Sequence, residues 1–123
     1  MLGGDLLDEI RNLCAEQDRL YDQWEQRTIN AAEEEAEYQI LMRKRAMIEK
    51  ENKVPTTFIA QFIRGDEDVA EKRKKRDIAE ELKEITKNRI TDLRKRIEIT
   101  NAQATREWTR RDDNLPDSPN WIE

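Results

Sequence analysis

No histidine occurs in the 123 residues, and there is a single cysteine, Cys14. Without histidine, the commonest general base, metal ligand and triad member is missing. One cysteine cannot form an intramolecular disulfide and fits a reducing compartment. Cys14 falls on an apolar stripe, where it reads as a small core residue rather than a nucleophile. Carboxylates abound, but "EEEAE" at 33–37 lacks the Glu-x-x-His ligands of a carboxylate-bridged metal bundle and reads as a solvated helix face. There is no glycine-rich phosphate loop. The expectation is a protein without enzymatic activity, with no catalytic residue, metal or cofactor.

Long apolar runs are also missing. None approaches the roughly twenty residues needed to span a bilayer, and "MLGGDLLDEI" lacks the basic start of a signal peptide. The sequence therefore predicts a cytoplasmic protein with no membrane partner. Charged residues make up 41% of the chain and hydrophobic ones 36%. So little apolar material suits a few long amphipathic helices, each burying a narrow stripe, within one domain at most.

Glycine and proline are scarce, three of each, and neither occurs between Gly4 and Pro55. An apolar series runs Leu6, Ile10, Leu13, Leu20, Trp24, Ala31, Tyr38, Leu41, Ile48, interrupted by Gln17, Arg27, Glu34 and Arg45. It predicts a helix over about 5–52, with Asp5 as N-cap. Pro55 stops that helix, and Thr56 or Thr57 is placed to cap a short one over 56–64. Gly65 then reads as a C′ residue, and Asp66 as the cap of a helix over about 66–110. The last helix follows Val69, Ile78, Leu82, Ile85, Ile90, Leu93, Ile97, Ala104 and Trp108, with Thr86 and Thr100 filling the stripe. Residues 112–123, "DDNLPDSPNWIE", read as a flexible acidic tail.

The fold class expected is all-α: residues 1–111 as a long, coiled-coil-like antiparallel hairpin with a short connector helix. Residue i should lie beside about 117 − i, so that Trp24 faces Leu93, Leu13 faces Ala104, and Leu6 with Ile10 meets Trp108. The stripes are wider than one seam. Leu7, Tyr21 and Met42 flank the first, and Ile78, Ile85 and Ile99 form a heptad series beside the second. These six residues are the candidates for self-association into a dimeric four-helix bundle.

Net charge is −5 but zoned: −8 over residues 1–42, +5 over 43–76 and −2 over 77–123. In the expected register, residue 45 meets about 72. Arg43, Lys44, Arg45, Arg64, Lys72, Arg73, Lys74, Lys75 and Arg76 would then converge at the connector end, where they could contact nucleic acid or a partner. A solvated zone neutralised by its neighbouring carboxylates is the simpler account. The same register gathers Glu33, Glu34, Glu35 and Glu37 with Glu80, Glu81 and Glu84 into an acidic belt. Phe58 and Phe62, at i and i+4 with Ile59 and Ile63 beside them, are either a plug over the end of the bundle or an anchor in a partner's groove. Of the two, the plug is the simpler reading.

The connector "VPTTFIAQFIRGDEDVAEKRKKRD", between a helix ending in a basic stretch and one ending "REW", resembles small all-helical proteins of tailed phages and prophages of Gram-positive bacteria. The similarity covers roughly residues 36–108. It implies a phage origin, hence a host cytoplasm, and a setting among early genes for DNA replication and recombination; it transfers no catalytic residue. Together these readings predict a binding or adaptor protein in DNA metabolism, with a direct nucleic-acid binder, or an inhibitor using the acidic belt, as alternatives.

Overall fold

The fifty residues after Gly4 contain no helix breaker, and helix α1 spans Gly3–Glu51. A computed structural model describes residues 3–113; residues 114–123, most of the expected tail, lie outside the described residues. Two further helices follow, α2 over Thr56–Arg64 and α3 over Glu67–Asp113, and no strand occurs among the described residues.

Each helix boundary has its own chemistry. At the end of α1, the amide of Val54 donates to the Glu49 carbonyl at 3.0 Å and that of Lys53 to Lys50 at 3.1 Å. This pair of bonds is a Schellman cap, and it requires a left-handed residue at C′. That residue is Lys53, with φ of 63°. Pro55, not either threonine, stands at the N-cap of α2 and supplies no side-chain bond, so Thr56 is already helical. Gly65 follows α2 with φ of −84°, an ordinary right-handed conformation. Asp66 does cap α3, its Oδ1 accepting from the amides of Asp68 at 2.9 Å and Val69 at 3.1 Å.

Burial along the long helices follows a strict alternation of threes and fours. On α1 it runs Leu6, Ile10, Leu13, Gln17, Leu20, Trp24, Arg27, Ala31, Glu34, Tyr38, Leu41, Arg45; on α3, Arg76, Ala79, Lys83, Thr86, Ile90, Leu93, Ile97, Thr100, Ala104. No position in either series is exposed. The four polar residues expected to interrupt the first stripe are members of it. Ile78, Leu82 and Ile85, expected inside the second, stand beside it and are exposed, while Ala79 and Thr86 lie within. Thr86 is fully buried, accepting a bond from Arg27 Nη1 at 2.6 Å and donating to the Leu82 carbonyl at 2.9 Å. Polar residues at such positions fix register.

The contacts divide the chain into two units, Asp22–Lys87 and Met1–Tyr21 with Asn88–Glu123. In the first, α1 and α3 run antiparallel and α2 packs over them. Its core is Tyr38, Ile63 and Val69, with Leu41, Met42, Ala46 and Ile59 against it. The register differs from the expected one by about a helical turn, since residue 45 meets 66 and 68 rather than 72. In the second unit the segments are also antiparallel: Arg94 Nη2 donates to Tyr21 Oη at 2.8 Å, and Leu6 shares a groove with Gln103, Glu107 and Arg110. Trp108, expected opposite Leu6, is exposed, as is Cys14, expected in the core.

Candidate partner interface

Nine residues make α2, and they carry two apolar pairs at i, i+4, each a residue apart from the other: Phe58 with Phe62, and Ile59 with Ile63. Neighbouring helical residues point about 100° apart, so a single buried line cannot take both pairs. The isoleucines win the core. Ile63 is buried and Ile59 packs on the Tyr38–Val69 cluster, whereas Phe58 and Phe62 remain 50% and 57% exposed. The plug is thus built from isoleucine, and the phenylalanines face outward.

Around them lies an open depression of about 690 Å³, lined by Asn52, Lys53, Val54, Pro55, Phe58, Gln61 and Phe62. The Schellman cap and Pro55 set its floor by turning the chain from α1 into α2. Its composition suits a ligand with apolar side chains: four apolar walls, two amide side chains able to satisfy a peptide backbone, and one cation. Because Pro55 offers no side-chain cap, the first-turn amides of α2 form an electropositive edge beside Phe58.

The nine candidate cations do not converge. Arg45 Nη2 lies 2.6 Å from Asp68 Oδ2, and Lys72 Nζ 2.7 Å from Glu37 Oε2. Arg76 bonds Asp77 at 2.9 Å, reaches Glu35 at 3.5 Å, and stacks 4.3 Å from the Tyr38 ring centre. Arg73 bonds the Tyr38 hydroxyl at 3.4 Å. The one-turn change of register therefore sets the second basic run against the "EEEAE" carboxylates instead of against the first basic run. Arg43, Lys44, Arg64, Lys74 and Lys75 are exposed.

Electrostatics follow these pairs. The hydrogen bond from Lys72 holds the Glu37 carboxyl below its ordinary range, helped by the Lys72 charge, and the same bond raises Lys72. Arg76 is raised by its bond to Asp77, and Lys83 by its bond to Glu80. Among the described residues, no group of three potential metal-ligating side chains occurs, and no helix is long and apolar enough to cross a membrane.

The six self-association candidates are split. Met42 is half-buried and packs against the core cluster beside α2. Leu7, Tyr21, Ile78, Ile85 and Ile99 are exposed. Met42 follows a series member and Ile78 and Ile85 precede one, which in an antiparallel pair puts them on opposite flanks. Helix α2 partly covers the flank that bears Met42, and the flank bearing Ile78, Leu82 and Ile85 is exposed.

Comparison with protein-family models, curated proteins and solved structures returns no match. The site therefore stands on its residues alone. Val54, Asn52 and Gln61 belong to it without having been singled out from the sequence: the left-handed turn at Lys53 brings Asn52 and Val54 beside Phe58, and Gln61 lies three residues along α2 from it.

Proposed function

We propose that the protein is a non-enzymatic binding or adaptor protein, docking another polypeptide on α2 through Phe58 and Phe62. The observation that carries this is the orientation of α2, anchored from below by Ile63 while two large aromatics stay in water. Burying the exposed half of each would contribute about 1 kcal/mol to an interface. The resemblance to phage proteins supports a setting in DNA replication or recombination. The test is capture from host lysate by the wild-type chain and by Phe58→Ala/Phe62→Ala. A specific band lost from the variant, at unchanged helix content, supports the reading; equal capture by both removes it.

The finer architecture belongs to the same proposal. α1 and α3 form one long hairpin, and two copies pair into a four-helix bundle through the open flank of Ile78, Leu82 and Ile85. The direct nucleic-acid reading keeps Arg43, Lys44, Arg64, Lys74 and Lys75 as its contacts. It requires binding to DNA that weakens steeply with salt. Absence of binding at low salt removes it.

A further inference from the structure

We propose that the α2 depression receives residues 114–123, "NLPDSPNWIE", of a second copy of this chain. The inference rests on the docking reading above and names the occupant.

Two properties of the depression select its ligand. Val54, Pro55, Phe58 and Phe62 call for a short segment with large apolar side chains. Lys53 on the wall, exposed Lys50 a turn earlier, and the uncapped start of α2 call for carboxylates beside them. Residues 114–123 combine both requirements: Leu115, Trp121 and Ile122 are apolar, Asp117 and Glu123 are acidic, and the segment carries no cation. Tryptophan is the residue type most enriched at binding hot spots. Pro116 and Pro119 restrict the backbone and so lower the entropy lost on ordering such a segment. The amides of Asn52 and Gln61 can bond its peptide groups.

The segment is supplied in trans, by a second copy. Such contacts are head-to-tail and extend into rings or open chains. They also compete with any foreign ligand of the same site.

A fluorescein-labelled peptide of residues 112–123 tests this by anisotropy against the full-length chain. The expected result is saturable binding to wild type and to Trp121→Ala alike at sub-micromolar protein. Phe58→Ala/Phe62→Ala should weaken it at least about tenfold, as should Trp121→Ala within the peptide. Absence of peptide binding to wild type and Trp121→Ala overturns the proposal. Binding to Trp121→Ala but not to dilute wild type overturns it too, because a copy's own segment then fills the site. If the peptide fails while Phe58→Ala/Phe62→Ala still abolishes capture from lysate, only this inference falls. If neither peptide nor lysate capture responds to Phe58→Ala/Phe62→Ala, the docking reading falls with it.

Discussion

Lys53 and Gly65 have exchanged the roles their chemistry suggests. The left-handed position that closes α1 holds a lysine, and the glycine after α2 sits in right-handed space that any residue adopts. A left-handed side chain costs about 1–2 kcal/mol, part of which glycine returns through its freer unfolded state. Lys53→Gly is expected to stabilise the fold by roughly 0.5–1 kcal/mol. At Gly65 an added Cβ would lie 3.7 Å from the Gln61 carbonyl oxygen, an ordinary contact. Gly65→Ala should therefore be neutral or stabilise by up to about 1 kcal/mol. Urea titration checks both; a loss of stability in either variant contradicts this account of the connector. The sequence marked the right neighbourhood here, since a proline, a glycine and an aspartate within twelve residues announce two breaks. It could not say which residue takes the strained conformation, because Asn52, Lys53 and Val54 all precede the proline closely enough.

The two faces of α2 make opposite predictions for neighbouring residues. Ile63→Ala removes a buried side chain and should cost about 2–4 kcal/mol. Phe62→Ala, one residue away and exposed, should change stability by about 0.5 kcal/mol or less. Comparable losses in the two variants would mean that the phenylalanines are part of the core. On the long helices, pairing of opposite charges is the legible element once the register is known. Lowered Glu37 contributes stability that is present above the ordinary carboxylate range and lost as pH falls through its own pKa. Raised Lys72 contributes below the ordinary lysine range, and that is lost as pH rises through its own pKa. The pair is thus at full strength between those ranges. Lys72→Glu should lower the melting temperature at pH 7, converge with wild type in strong acid, and be rescued by Glu37→Lys. Identical melting of wild type and Lys72→Glu at pH 7 would exclude the pairing. Apolar residues alone favoured the wrong register because Arg27, Lys83 and Thr86 occupy seam positions. A small polar residue opposite an arginine reads as an interruption in one sequence and becomes a bond only when two helices meet.

At the scale of the molecule, the all-α character followed from the scarcity of glycine and proline, and the number and order of helices from the two breaks at Pro55 and Gly65. Surface roles were harder to extract, since Met42 and Ile78 look equivalent until α2 covers one flank. If two copies pair through the open flank, sedimentation equilibrium of Trp121→Ala, which lacks the head-to-tail contact, should give about 29 kDa, twice the 14.7 kDa chain. Adding Ile78→Glu/Ile85→Glu to it should return the mass to that of one chain, and a monomer of Trp121→Ala at tens of micromolar would remove the bundle. The central claim is that Phe58 and Phe62 form a docking surface, and photo-crosslinking tests it most directly. Benzoylphenylalanine replacing Phe62 in the full-length chain, irradiated in cells that express it, should form a discrete heavier adduct. The same group at exposed Ile29 should not form that adduct. A silent position 62, or the same adducts from both positions, would contradict it.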